Sequence, residues 1–68
     1  MNGIIRYGVF KHSVSVRSAS ERRYVEQNLK LRDIAYEYVD YDSMEIRERK
    51  LYGKADFSFQ TFKKILKN

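Results

Sequence analysis

Ile34-Ala35-Tyr36-Glu37-Tyr38-Val39-Asp40 is the stretch on which the fold turns. Tyrosine, isoleucine and valine favour a pleated strand, and the stretch contains no glycine or proline to break one. Successive side chains on a strand point to opposite faces. Ile34, Tyr36 and Tyr38 therefore share one face, and Ala35, Val39 and the following Tyr41 share the other. Both faces carry apolar groups, which suits a strand covered on both sides or one with an exposed aromatic face. Polar, helix-like runs precede and follow it, so it reads as a strand set between two helices.

Towards the N-terminus, residues 3–10 read as a first strand, rich in β-branched and aromatic types. Ile5, Tyr7 and Val9 share one face; Ile4 and Phe10 lie on the other, with Arg6 and Gly8 between them. Gly8 marks a bulge or a close backbone approach. Residues 11–19 read as a loop with some extended character. Val14 and Val16 alternate with Ser13, Ser15 and Arg17 as a short second strand would. Lys11-His12-Ser13 has no glycine or asparagine to supply the positive φ of a tight hairpin turn, which favours the loop. Ser18 or Ser20 then caps a helix over 20–32, with Glu21 in its first turn, where the helix dipole favours an acid. Its apolar stripe is Tyr24, Val25, Leu29 and Leu31, while Arg22, Arg23, Glu26 and Lys30 face water.

Beyond the central strand, Asp42 caps a helix over 43–52, with Glu45 three residues on in the manner of a capping box. Met44, Ile46 and Leu51 supply its apolar side, and Gly53 is its natural stop. Asp56 or Ser58 opens a third helix reaching residue 67, with Phe59, Phe62, Ile65 and Leu66 as its stripe and Lys63, Lys64 and Lys67 near its C-terminal end. The order is β-α-β-α-α. Two strands joined by a crossover helix pair in parallel through a right-handed connection. The expected fold is α+β, a small and at least partly parallel sheet covered by helices, in one domain over 1–68.

Sixty-eight residues bury only about 60% of the surface that the unfolded chain exposes. Net stability of such a chain is roughly 3–5 kcal/mol unless something staples it. There is no cysteine, so no disulfide does so, and His12 is the only strong nitrogen ligand, which argues against a structural zinc site. Neither a metal nor another cofactor is expected. Four Phe and six Tyr are the large apolar groups from which so short a chain builds a core or an interface. The net charge is +5, from 14 basic and 9 acidic residues, and the isoelectric point is about 9.6. A basic balance suits nucleic acid, an anionic membrane or an acidic protein patch. No block of five like charges occurs, so the charges read first as a solvated surface. No apolar run approaches the roughly 20 residues that span a bilayer, and no leader pattern opens the chain. No membrane association is expected, and the expected compartment is the cytoplasm.

The succession of strand, loop, helix, strand and helix resembles the first half of the thioredoxin-like fold. Ile34-Ala35-Tyr36-Glu37-Tyr38-Val39-Asp40 with the run from Ser43 to Gly53 is similar to glutaredoxins of the type that serve ribonucleotide reductase. Asp56-Phe57-Ser58-Phe59-Gln60-Thr61-Phe62-Lys63-Lys64-Ile65 is similar to their last helix. The resemblance covers residues 4–10 and 20–66 and implies a parallel β-α-β unit. The family's Cys-x-x-Cys would fall within 11–19, where Lys11-His12-Ser13-Val14-Ser15-Val16-Arg17-Ser18-Ala19 stands. No thiolate forms there, so disulfide exchange is excluded. The family's cis-proline is also missing. Only Lys54, Ala55 and Asp56 separate the last two helices, which leaves no room for its third and fourth strands. The resemblance thus implies a shortened, redox-inactive relative.

Candidate chemistry is sparse. His12 beside Ser13 or Ser15 lacks the orienting acid and oxyanion site that serine attack needs, and reads as a surface histidine. Asp40, Asp42 and Glu45 cluster at a strand end without the glycine and alternation of a calcium loop, and helix capping explains them. Ser18, Ser20 and the helix start beside Arg17, Arg22 and Arg23 form the best anion-site candidate, against a plain N-cap with solvated arginines. Tyr7, Tyr36, Tyr38, Tyr41 and Tyr52 beside Arg6 and Lys50 serve core packing, a protein interface or base stacking. Arg47, Arg49 and Lys50 are diluted by Glu45 and Glu48 and read as a solvated face.

The chain is therefore expected to be a non-enzyme, a small binding or regulatory protein that modulates a partner protein by occupying its surface. A modulator of a host protein encoded by a phage or mobile element would suit such a chain. The candidate contact residues are Arg17, Arg22, Arg23, Tyr36, Tyr38, Lys63, Lys64 and Lys67. The rival is a basic nucleic-acid-binding protein that uses arginine, lysine and tyrosine. A homodimer would cover the sheet edge that such a small sheet leaves open.

Overall fold

A computed structural model describes residues 2–8, 12–52 and 59–66, the side chain of Leu51 excepted. The elements run β1 (Gly3–Tyr7), β2 (His12–Val16), α1 (Ala19–Leu31), β3 (Tyr36–Asp40), a 3₁₀ turn (Tyr41–Ser43), α2 (Ile46–Tyr52) and α3 (Phe59–Leu66). Val9, Phe10, Gly53, Asp56, Ser58 and Lys67, to which the sequence assigns places in a strand or helix, lie outside the described residues.

The three strands form one sheet in the order β2-β1-β3, and both pairings are antiparallel. This corrects the expectation of a partly parallel, truncated thioredoxin-like sheet. The reason lies at Gly8. It adopts φ +64°, a left-handed conformation open to glycine at little cost, and stands directly after β1. β2 then runs back along β1 with Tyr7 opposite His12 and Gly3 opposite Val16. Within 11–19, read as a loop with a short second strand as the alternative, His12–Val16 is that strand, and Gly8, read as a bulge or a close backbone approach, is the latter: a Cβ there would come within 2.9 Å of the His12 ring. The helix after β2 returns the chain to the far side of β1. β3 is parallel to β2 in direction, but β1 lies between them.

Each connection has a local cause. Ser18 is the N-cap of α1, its Oγ accepting from the Glu21 amide at 3.2 Å. At the other end Asp33 takes φ 57°, its N–H donates to the Lys30 carbonyl, and the Ile34 N–H donates to the Leu29 carbonyl. That is the paired closure of a Schellman motif, with an aspartate where glycine is usual. Asp42, expected to cap the next helix, lies instead within the 3₁₀ turn, which Asp40 opens by accepting from the Asp42 amide at its Oδ2, 3.2 Å away. α2 starts later than expected, with Glu48 reaching back to the Glu45 amide at 3.3 Å.

Pleat alternation assigns the faces. Ile5, Val14 and Val16 point to the side of the sheet that α1 and α3 cover, where Val25, Leu29 and Phe62 complete a buried cluster. Tyr7, Ile34, Tyr36, Tyr38, Phe59 and Leu66 close around it. Tyr7 meets Phe62 edge-on at 5.7 Å, and Tyr24 meets Phe59 at 5.3 Å. On the opposite side Ile4 and Ser15 are buried, as is Met44, which follows the 3₁₀ turn. β1 therefore has buried residues on both of its faces.

The helix stripes are narrower than the sequence suggests. Val25 and Leu29 are buried, but Leu31 is 83% exposed and Tyr24 is partly exposed. At about 100° per residue, Tyr24 and Leu31 lie a third of a turn or more from the Val25–Leu29 line. Ile46 and Ile65 are exposed as well.

Candidate functional site

The most structured polar surface lies at the end of the sheet where β1 begins and β2 and β3 finish. The Tyr41 amide donates to the Asn2 carbonyl at 2.9 Å, and the Met44 amide to the Tyr41 carbonyl at 3.1 Å. These bonds fix the 3₁₀ turn, and with it the Tyr41 ring. Tyr52 is fixed from beneath, because the hydroxyl of buried Ser15 donates to its carbonyl at 3.0 Å. The two rings meet edge-on, centroids 5.1 Å apart. The Arg17 guanidinium lies 5.2 Å from the Tyr52 ring centre, and that of Arg49 5.2 Å from Tyr41. The result is a continuous row of Arg17, Tyr52, Tyr41 and Arg49.

Both terminal arginines of the row are exposed, and neither forms an ion pair among the described residues. Each guanidinium carries five N–H donors in a fixed fork. A cation held over a tyrosine face is oriented by the ring while its N–H edge stays available to an acceptor.

A second cluster stands at the same end, on the α1 side. The Tyr38 ring lies over Gly3, where a Cβ would come within 2.6 Å of the ring. The Arg22 guanidinium sits 3.7 Å from the Tyr38 ring centre and pairs with Glu26 at 3.3 Å. The Tyr38 hydroxyl donates to Asp40 Oδ1 at 3.4 Å. Burial pushes the Tyr38 phenol above its ordinary value and the Asp40 carboxylate adds to the shift, while Arg22 opposes it. Burial raises the Tyr7 phenol too.

A third group lies on the opposite face. Arg6 of β1 contacts Glu37 of β3 at 3.5 Å and also Glu48 of α2. Arg6 Nε and Glu48 Oε2 are buried and lack an aligned hydrogen bond, so the triad is held by charge rather than by directed bonds. It ties α2 to the sheet.

Of the residues singled out from sequence, Arg17, Arg22 and Tyr38 come together at this end. Tyr36 is half-buried against the core. Arg23 is exposed on α1. Lys63 lies over Phe59, its Nζ 5.5 Å from the ring centre, and Lys64 is exposed beside it on α3. No contact joins these lysines to the row among the described residues. The start of α1 is already occupied by its own groups: the Glu21 carboxylate accepts from the Arg17 amide at 3.0 Å and Ser18 caps the first turn. His12 and the serines of β2 project from opposite faces of the strand, and His12 stacks on Tyr7 at 5.3 Å. No group of His, Asp and Glu able to hold a metal occurs among the described residues.

Sequence reasoning named Tyr41 and Tyr52 only as members of a general tyrosine set and read Arg49 as solvated. Their meeting depends on the 3₁₀ turn and on the Ser15 bond, a contact across 37 residues. The spacing of Arg49 and Tyr52, three apart on α2, is the one local signal for it.

No family model, curated protein or solved structure matches the chain. Among the described residues no helix is long and apolar enough to cross a membrane.

Proposed function

We propose that this is a small non-catalytic binding protein that modulates a partner protein by occupying its surface, and that the Arg17–Tyr52–Tyr41–Arg49 row makes the central contact. The row carries this reading. Tyrosine and arginine are, with tryptophan, the side chains enriched where protein interfaces hold their binding energy. Here they are ordered by one another rather than by salt bridges, so their N–H edges remain open to carboxylates. The complementary partner surface is one of mixed charge that sets carboxylates against the two guanidinium groups.

Nucleic acid is the competing occupant of the same cations. Asp40, Asp42 and Glu45 lie in or beside the turn that carries Tyr41, and all three are exposed. Carboxylates there repel phosphate, which favours a protein surface of mixed charge. The test is retention from a cell lysate, with and without nuclease, by the wild-type chain and by R17E/R49E. The proposal expects one protein retained by the wild type, unaffected by nuclease and lost with the variant. Retention that nuclease abolishes, with affinity for generic DNA or RNA falling steeply with salt, would assign the row to nucleic acid instead.

A further inference from the structure

Among the described residues β3 is an open edge, and its geometry specifies what it can pair with. The bond from the Tyr41 amide to Asn2 fixes which pairs in the β1–β3 ladder exchange hydrogen bonds. Those pairs alternate along an antiparallel ladder. Val39 and Glu37 therefore turn their backbone groups toward β1. Tyr36, Tyr38 and Asp40 turn theirs outward, where no described residue meets them. The helices pack mainly on β1 and β2, and α1 reaches β3 through Arg22 on the face of the Tyr38 ring, not along its outer backbone edge. Of the usual protections of an edge, β3 lacks proline, lysine and a bulge, and its charges are the carboxylates of Glu37 and Asp40.

We propose that two copies of this chain pair through β3, antiparallel about a twofold axis at Tyr38, to give one continuous sheet. In this register Tyr38 faces its own copy, Tyr36 faces Asp40 and Glu37 faces Val39. The three outward residues form the hydrogen-bonded pairs, each exchanging two N–H···O bonds. No carboxylate faces another carboxylate. Glu37 meets valine while Arg6 of its own chain balances its charge, and Asp40 meets a tyrosine. A slide of two residues in one direction would set Glu37 against its own copy. A slide in the other would take Tyr36 out of the five-residue ladder. Charge and length thus select the one register, and a self-complementary strand is what a twofold interface requires. This pairing is independent of the partner reading, because the arginine–tyrosine row lies outside the edge.

The absence of native cysteine makes the register testable by cross-linking. Glu37→Cys and Val39→Cys chains are prepared separately, then oxidised alone and as a mixture. Residues 37 and 39 face each other across a non-hydrogen-bonded pair, at about 4.5 Å between Cα atoms, within disulfide reach. Residue 37 and its own copy lie diagonally at about 7–8 Å, beyond it. The expected result is a disulfide dimer in the mixture and little in either chain alone. Sedimentation of the unmodified chain should show a mass rising with concentration from 8.2 kDa to twice that. The Tyr38 amide should exchange more slowly as the mass rises. A mass that stays at 8.2 kDa over the whole range overturns the proposal. So does a dimer whose mixed variants cross-link no better than the single ones, which would place the interface elsewhere.

Discussion

β2 and β3 are both five-residue strands, both pair antiparallel with β1, and both end at the same end of the sheet. They are otherwise unlike. β2 buries Val14, Ser15 and Val16, the last three of its residues, while β3 buries none fully. Helices pack on β2 and leave β3 with β1 as its main neighbour. One strand holds the fold together from both of its faces. The other carries an aromatic surface; both are edge strands of the sheet, and they differ in how deeply their side chains are buried. A core of this size is expected to supply only about 3–5 kcal/mol, and the division shows that it is fixed on the β2 side.

The sharpest way to break the β2 side is Phe62→Ala. Phe62 is buried and joins α3 to the core and to Tyr7. Its loss should cost about 3–5 kcal/mol, comparable with the total, so denaturant titration by circular dichroism should find the variant largely unfolded in buffer. A folded variant would show that α3 is dispensable. Ser15→Ala is the next step down. It leaves the Tyr52 carbonyl without its donor and should cost about 1 kcal/mol. It should also loosen the Tyr52–Tyr41 contact, visible as shifted ring resonances in both.

On the β3 side, Arg22→Ala removes a guanidinium over Tyr38 and a one-turn ion pair with Glu26. The expected loss is about 0.5–1 kcal/mol, with the sheet register unchanged in cross-strand nuclear Overhauser contacts. The alkaline limb gives the smallest effect. Tyr7 and Tyr38 have phenols raised by folding, so the folded chain holds protons that the unfolded chain releases near pH 10. Their contribution is complete below that pH and is lost as pH rises through the folded-state values. Stability should therefore fall above about pH 10, and Tyr38→Phe, which keeps the ring over Gly3, should flatten the fall. A Tyr38→Phe curve identical to the wild type would remove Tyr38 from the account.

Legibility followed the same division. The central strand, read over 34–41 and found over 36–40, its two faces and α1 were readable because each depends on local period and capping. The hairpin was not. Gly8, at positive φ directly after β1, fits a bulge or a close backbone approach as well as a reversal, and Lys11-His12-Ser13 offers no glycine or asparagine to mark a turn. The expectation of a parallel sheet followed from reading β2 as a loop, since its insertion as a strand reverses the direction in which α1 sets out. The helix stripes were read too broadly, because Tyr24 and Leu31 have helical spacing to each other but not to the buried Val25–Leu29 line. Within the candidate site, Arg17, Arg22 and Tyr38 could be named from residue type. The row could not, because Tyr52 meets Tyr41 only after a buried serine has fixed α2 against the sheet.

Residue-resolved amide exchange in dilute solution tests the central asymmetry most directly. The account predicts slow exchange throughout β1, at Val14 and Val16 of β2 and at Glu37 and Val39 of β3, with fast exchange at Tyr36, Tyr38 and Asp40. Uniform protection along β3 at concentrations where the chain is monomeric, or faster exchange at Val14 and Val16 than at the outward amides of β3, would contradict it.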